Sequence, residues 1–246
     1  MKGFALISLS LASLSALASG NVYVMSSGND AFDNQLMSSL ASNGVNATLG
    51  VRFGDLNEST DLTGFSAVYA QYNYNWNLDS ITAAAQNRLI SFLGTGGGVV
   101  TNEWVMWRQP SLLLPYMPTT YQSYRGATEA TFTKTTADNP TINAGLPDSF
   151  TFSLTNLSGS ESHLVAKEGA TTFYRSDHAA DAAGLAGWDV GGGRVFNFSP
   201  VMGELEIADP NMSRLLANTL NAAAVPEPGA FAALGLGVLV LLRRRK

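Results

Sequence analysis

The 246-residue sequence contains no cysteine. This absence excludes disulfide bonds, thiol nucleophiles and thiolate-bound zinc, and it also excludes lipid attachment at an N-terminal cysteine. The stability of the fold must therefore come from an apolar core, which the 46% of hydrophobic residues can supply.

Basic residues are scarce in the central part of the chain. The sequence has 14 Lys and Arg against 19 Asp and Glu, and five of the basic residues lie within its first two and last four positions. Residues 19–224 carry nine basic and eighteen acidic side chains, a formal charge of −9. Since phosphate binding needs a basic face, we expect no nucleic-acid partner.

The N-terminal segment has the pattern of a secretory signal. Lys2 precedes an apolar, serine-rich run over residues 4–17, and Ala16-Leu17-Ala18 suits cleavage by signal peptidase. We therefore predict a signal peptide over residues 1–18. Residues 19–224 are then long enough for one domain with a substantial core.

The C-terminal residues 225–246 read VPEPGAFAALGLGVLVLLRRRK. The 14 residues from Gly229 to Leu242 carry no charge; as a helix they would reach about 21 Å, against a hydrocarbon core of about 30 Å. The apolar run is therefore a marginal membrane span. The basic residues beyond it favour the cytoplasmic side, which would leave the rest of the chain outside the cytoplasm.

This order of a Pro-Glu-Pro triplet, an apolar helix and an arginine-rich end is similar to the PEP-CTERM sorting signal. The resemblance implies recognition and cleavage by an exosortase-type membrane protease in the inner membrane, followed by residence at the cell surface or outside the cell. An ordinary membrane anchor that is never cut is the alternative. The residues that carry the resemblance are Pro226, Glu227, Pro228, Arg243, Arg244 and Arg245.

Strands and helices alternate through the first half of the mature chain. Apolar runs predict strands at 21–25, 45–51, 66–70 and 99–101, and helical spacing predicts helices at 31–42, 80–93 and 210–221, with Asp30 and Asp79 as the N-caps of the first two. This order predicts a parallel sheet with a ligand crevice at the carboxyl ends of its strands. Residues 107–147 interrupt the pattern and are interpreted as an insertion or a peripheral hairpin, and the short strands after them as antiparallel.

Three segments resemble the class I glutamine amidotransferase-like fold, which includes the trehalose-utilisation-like proteins. They are GFSAVYAQ at 64–71, LISFLGTGGGVVTNEW at 89–104, and GGGRVFNFSP at 191–200 with the following RLLANTL. The resemblance implies a flavodoxin-like, three-layer α/β sandwich with a mostly parallel sheet over residues 19–224.

Catalytic members of that superfamily carry a cysteine on the turn after the fourth strand, and the resemblance puts Glu103 at that position. Without cysteine, glutamine hydrolysis through a thioester is excluded. The last strand also ends in Ser199-Pro200 instead of the expected histidine motif. Glu103 could serve as a general acid or base if burial tuned its pKa; alternatively, it only orders the turn by accepting backbone hydrogen bonds.

An aromatic and amide-rich segment follows the third predicted strand. Alternating rings and amides can stack on sugar rings while they bond to their hydroxyl groups. The alternative is that half of these rings belong to the core and the asparagines shape a turn. The candidate ligand-binding residues are Tyr72, Asn73, Tyr74, Asn75 and Trp76, together with Asn102 and Trp104.

The two histidines have acidic neighbours in the sequence. Asp177, His178 and Asp181 with the distant His163 could form a hydrogen-bonded or metal-binding set. No metal-ligand motif is present, so we predict neither a metal nor a cofactor.

Together these features predict an exported, sorted domain that acts as a binding module without thiol chemistry. Its expected ligand is a carbohydrate, such as an exopolysaccharide or a cell-surface glycan, and its processing partners are signal peptidase and the exosortase-type protease. Two alternatives stay open. One is a hydrolase acting on glycans that uses Glu103, with His178 or Asp177, as acid and base; the other is a structural matrix protein.

Overall fold

A computed structural model describes residues 20–71, 81–155 and 160–224. The predicted signal peptide, most of the aromatic segment and the sorting signal lie outside these ranges. Among the helices that are described, none is both long enough and apolar enough to cross a membrane.

Short strands and helices alternate along the described chain. Their bounds are β1 Val22–Ser26, α1 Asp30–Ser42, β2 Ala47–Arg52, β3 Ala67–Ala70, α2 Ala83–Gly94, β4 Gly98–Thr101, α3 Glu103–Trp107, β5 Thr119–Arg125, β6 Glu129–Lys134, β7 Ser149–Ser153, β8 Glu161–Ala166, β9 Thr171–Ser176, β10 Ala183–Val190, β11 Gly193–Phe198, α4 Glu204–Ala208 and α5 Pro210–Ala223.

The main sheet has nine strands in the order β2-β1-β3-β4-β11-β10-β9-β6-β7. Its first five strands are parallel and the remaining pairings are antiparallel. This confirms the predicted mixed α/β fold. We call the side where β1, β3, β4 and β11 end the carboxyl edge, and the side where they begin the amino edge.

The central parallel strands are buried on both faces, which explains their nearly continuous apolar sequences. Along β1, Val22 and Val24 join the core beneath α1 and α5, whereas Tyr23 and Met25 join the core that contains α2. Successive side chains of a strand point to opposite faces, so one strand serves both cores. The result is a helix–sheet–helix sandwich of three layers.

The helices begin at short polar side chains. α1 is capped by Asn29 and not, as predicted, by Asp30: the Asn29 side chain accepts hydrogen bonds from the backbone N–H groups of Ala31 and Phe32. Asn29 has the extended backbone that a cap requires, whereas Asp30 is already helical. Thr82, and not the predicted Asp79, caps α2, because the helix begins at Ala83 and the Thr82 side chain accepts a hydrogen bond from the Ala85 N–H. Asp79 itself lies outside the described residues.

The segment 107–147 contributes to both sheets. β5 pairs antiparallel with β8 in a separate two-stranded sheet, while β6 lies between β9 and β7 in the main sheet. Residues of β5 and β8 lie close to α3. The β5–β8 sheet therefore forms a cover over the turn that follows β4.

Candidate functional site

The turn after β4 is tied to the end of the adjacent strand β11. The Glu103 backbone N–H donates a hydrogen bond to the Pro200 carbonyl oxygen at 3.2 Å, and Asn102 Nδ2 donates to the Val201 carbonyl oxygen at 2.7 Å. These bonds place Glu103, the first residue of α3, at the carboxyl edge of the sheet. Glu103 therefore lies on a turn between a strand and a helix, as the sequence predicts.

Glu103 lies under the β5–β8 sheet. Glu103 is 1% exposed, and Ser162 Oγ of β8 donates a hydrogen bond to Glu103 Oε1 at 2.6 Å. Within the part of the chain that the structure describes, Glu103 Oε2 is buried without a hydrogen-bond partner. The bond from Ser162, and not the backbone amides considered above, is therefore the side-chain contact that orders this carboxyl group.

Burial raises the pKa of Glu103 to about 8; the hydrogen bond from Ser162 opposes this rise and the charge of Glu161 adds to it. Desolvation disfavours the charged form of a carboxyl group, so Glu103 holds its proton at neutral pH. A neutral carboxyl group can donate a hydrogen bond as well as accept one. Glu103 is thus chemically suited to be an acid, but it has little contact with solvent.

A second buried carboxylate, Glu161, accepts hydrogen bonds at both of its oxygen atoms. Arg125 donates to Glu161 Oε2 from Nε at 2.9 Å and from Nη2 at 2.6 Å. The hydroxyl groups of Ser176 and Ser199 donate to Oε1 at 2.5 and 2.7 Å. A buried charge requires such pairing, and here Arg125, Ser176 and Ser199 supply donors to both oxygen atoms of Glu161.

The predicted histidine and aspartate set comes together next to Glu161. His163 Nε2 lies 2.8 Å from Asp181 Oδ1, and the rings of His163 and His178 have centroids 5.4 Å apart. Asp177 instead pairs with Arg125 at 2.5 Å. Burial lowers the pKa of His178. Of the predicted set, His163 and Asp181 are thus hydrogen-bonded to each other, whereas His178 contacts His163 through its ring. The described residues contain no group of three or more metal-ligating side chains placed to hold an ion.

The predicted ligand-binding residues are only partly described. Tyr72, Asn73, Tyr74, Asn75 and Trp76 lie outside the described residues, while Asn102 is fully buried and Trp104 is 5% exposed.

A surface pocket of about 270 Å³ adjoins this aromatic segment in the sequence, lined by Ile81, Trp107, Arg108 and Pro110. The Arg108 guanidinium lies 5.8 Å from the centre of the Trp107 ring. The pocket thus offers an aromatic surface and a cation at the carboxyl edge.

Sequence reasoning missed three members of the site, Ser162, Glu161 and Arg125. Each is brought in by the pairing of β5 with β8, whose strands are separated by more than thirty residues. The polar sequence of β5 gives no signal of its partner. An acidic residue at the start of an apolar strand, as at Glu161, is the only local sign of a buried charge there.

A third buried carboxyl group lies close to the same edge. Glu206 of α4 accepts hydrogen bonds from the backbone N–H and hydroxyl of Thr155 and from the Gly203 N–H, at 2.6–3.0 Å. Burial raises its pKa. All of these donors are buried protein groups, so Glu206 anchors α4 to the end of β7.

Residues 224–246 match the PEP-CTERM protein-sorting motif. The motif implies an exported protein with a membrane-anchored C-terminal sorting signal that an exosortase processes. No curated protein sequence matches this chain.

Solved structures share the fold at low sequence identity. A cytoplasmic protein of Salmonella typhimurium superposes with a TM-score of 0.61 at 13% identity, covering 83% of this chain and 98% of that one. A ThuA-like protein from Parabacteroides merdae has a TM-score of 0.59 at 12% identity, covering 83% and 89%. These neighbours confirm the predicted amidotransferase-like fold.

The fold also occurs as part of a larger enzyme. A β-galactosidase from Rahnella has a TM-score of 0.58 at 13% identity over 85% of this chain, but the match covers only 32% of that enzyme.

Proposed function

We propose that this protein is an exported binding module that is sorted by an exosortase and binds a carbohydrate at the carboxyl edge of its sheet. The sorting motif at residues 224–246 carries the cellular part of the proposal. It supports delivery to the cell surface or the extracellular space, where polysaccharides are the abundant polymers within reach.

The sealing of Glu103 supports binding over catalysis. A general acid must come within hydrogen-bond reach of its substrate, at roughly 3 Å. Glu103 is 1% exposed, and among the described residues its side-chain partner is Ser162. A substrate could reach it only if the β5–β8 sheet moved away from α3.

The proposed ligand surface combines the aromatic segment with the pocket beside Trp107. Aromatic rings stack on the apolar faces of sugars, and a neighbouring arginine can bond to hydroxyl or carboxylate groups. An acidic exopolysaccharide would use both groups. The pocket beside Trp107 lies on the described surface, so this part of the proposal can be tested by single substitutions.

Binding of purified exopolysaccharide from the producing strain, measured by calorimetry, tests the ligand. We expect Trp107→Ala and the pair Tyr74→Ala and Trp76→Ala to weaken binding about fivefold or more, since each lost aromatic stack costs about 1 kcal/mol or more. Tyr124→Ala is the matched control, because Tyr124 is a 56% exposed aromatic residue on β5, outside the proposed surface. Equal binding by all variants would refute the proposed surface.

The mass of the exported protein tests the sorting. Cleavage near Pro226–Pro228 removes the arginine-rich end, and signal peptidase removes residues 1–18. Replacing the Pro-Glu-Pro triplet by three alanines should leave the full C-terminus on the protein and retain it in the membrane. An exported protein that still carries Arg243–Arg245 would contradict cleavage and support the permanent anchor.

A glycan hydrolase is the second candidate, favoured by the raised pKa of Glu103. Incubation of glycan with the protein, followed by analysis of reducing ends, separates the two functions. Turnover that Glu103→Gln abolishes would establish the hydrolase, whereas binding that survives this change without product supports the module.

A further inference from the structure

The two ends of the described domain lie side by side at the amino edge. A Cβ atom placed on Gly20 would lie 3.0 Å from the Ala224 Cβ atom and 2.5 Å from the Ser66 side chain. The Ser66 N–H also donates to the Asn21 carbonyl oxygen at 2.8 Å, and the Gly98 N–H donates to the Ser66 carbonyl oxygen at 2.9 Å. Both chain ends therefore leave from one place, opposite the carboxyl edge that holds Glu103.

Five segments around this place carry no charged side chain. They comprise residues 43–46, 63–66, 94–98, 190–193 and 220–224, which contain no Asp, Glu, Lys or Arg. We call this set of segments the neutral pole. Arg194, which follows the loop 190–193, is bonded to Asp189 at 3.2 Å and to the Ala222 carbonyl oxygen at 3.1 Å, so an acidic partner offsets its charge.

The carboxyl edge has the opposite character. Acidic side chains follow the ends of its strands, among them Asp30, Asp55 and Glu204. The mature domain carries a formal charge of −9. An uncharged surface on so acidic a domain avoids repulsion from anionic lipid headgroups, which attract basic and repel acidic surfaces.

The chain itself limits how far the neutral pole can lie from the membrane. Only Val225–Pro228 separate Ala224 from the first residue of the apolar run, Gly229. Four residues span at most about 14 Å. While the C-terminal segment is anchored, the pole must therefore stay near the headgroups.

We propose that the neutral pole is a membrane-facing surface, which lies against the lipid headgroups of the bilayer that anchors the uncut chain and turns the carboxyl edge outward. The small uncharged segments let the domain sit on the bilayer and leave the Pro-Glu-Pro triplet at the headgroup level. The inference rests on the sorting signal and is independent of carbohydrate binding.

Single cysteines in the full-length, cysteine-free chain test this orientation. Ala31→Cys and Ala41→Cys are matched, because both positions are exposed on α1, at the carboxyl and amino ends of the domain respectively. Each variant is labelled with a fluorophore and reconstituted in vesicles of phosphatidylethanolamine and phosphatidylglycerol with nitroxide headgroups. Vesicles without nitroxide give the unquenched signal.

We expect quenching at Ala41 to exceed that at Ala31 about twofold or more, since ten helical residues separate the positions by about 15 Å. Equal quenching, or stronger quenching at Ala31, would overturn the proposal. A second pair, Asn46→Cys at the neutral pole and Leu205→Cys near the carboxyl edge, decides the result if either α1 variant loses its cooperative melting transition. Unchanged carbohydrate binding alongside equal quenching would refute the orientation alone.

Discussion

Ser162 Oγ and Glu103 Oε1 lie 2.6 Å apart across the boundary between the two sheets. This contact joins the turn after β4 to the covering strand β8. It fixes the carboxyl group of the residue that begins α3. Glu103 is held as a neutral, buried group. Three consequences of this and the neighbouring contacts can be measured, together with one of the close packing at the amino edge.

Ser162→Ala should lower the free energy of unfolding by about 1–3 kcal/mol, because it leaves a second oxygen of Glu103 buried without a partner. Urea denaturation followed by circular dichroism measures the change. Ser153→Ala on the exposed side of β7 is the control and should change stability little. Equal losses in the two variants would show that the Ser162 bond does not support the buried carboxyl group.

Glu103→Gln should make stability less dependent on pH. The folded state keeps the Glu103 proton up to a pKa of about 8, whereas the unfolded chain releases it near its ordinary value of 4.5. The contribution of Glu103 is therefore fully present below pH 4.5 and falls by up to about 1.4 kcal/mol per pH unit as the pH rises toward 8.

The difference in unfolding free energy between wild type and Glu103→Gln, measured from pH 5 to pH 8, isolates this contribution from that of other groups. The wild type should lose stability relative to the variant as the pH rises. A constant difference would mean that Glu103 ionises normally in the fold.

Arg125→Met should destabilise the domain by about 3–5 kcal/mol, because it leaves the buried Glu161 carboxylate without its cation. Arg52→Met is the control: Arg52 pairs with Asp55 at 3.1 Å on the surface, where both side chains are about half exposed, and such pairs contribute at most about 1 kcal/mol. Thermal and urea denaturation compare the two. A loss for Arg125→Met no larger than for Arg52→Met would contradict the assigned role of the Glu161 network.

Gly98→Ala should destabilise the amino edge, because the new Cβ atom would lie 2.2 Å from the Ala223 carbonyl oxygen of α5. Backbone on both sides leaves little room to relax, so we expect a loss of about 1–3 kcal/mol. Gly94→Ala is the matched control, since no atom lies within 4 Å of its Cβ position at the end of α2. It should be neutral or stabilise the helix by up to about 1 kcal/mol. Comparable melting temperatures for the two variants would refute this close contact between α5 and β4.

The sequence alone predicted the elements whose neighbours lie close along the chain. The apolar runs of β1, β3 and β4 alternate with helices, and this order favours parallel pairing because crossover helices need both faces of a sheet. The position of Glu103 followed from the glycine turn before β4. The helix over residues 210–221 was predicted within two residues of the observed α5.

The cover over Glu103 could not be predicted in the same way. β5 reads TTYQSYR, a polar strand whose pairing with β8 depends on Arg125 meeting Glu161 across the ladder. Such a contact depends on the whole fold and leaves no periodic signal. The cap of α1 was also mispredicted, because adjacent Asn29 and Asp30 are both good caps and only the backbone angle of Asn29 distinguishes them.

The closeness of Gly20 and Ala224 means that the two ends of the described domain nearly meet. A short peptide could join these two residues into a ring, and the ring could be opened elsewhere, for instance in the exposed loop near Glu58, without breaking a strand. A circular permutant of this kind would carry its export and sorting signals on the far side of the domain. Such a rearranged chain would show whether ligand binding by the domain depends on which of its edges faces the membrane.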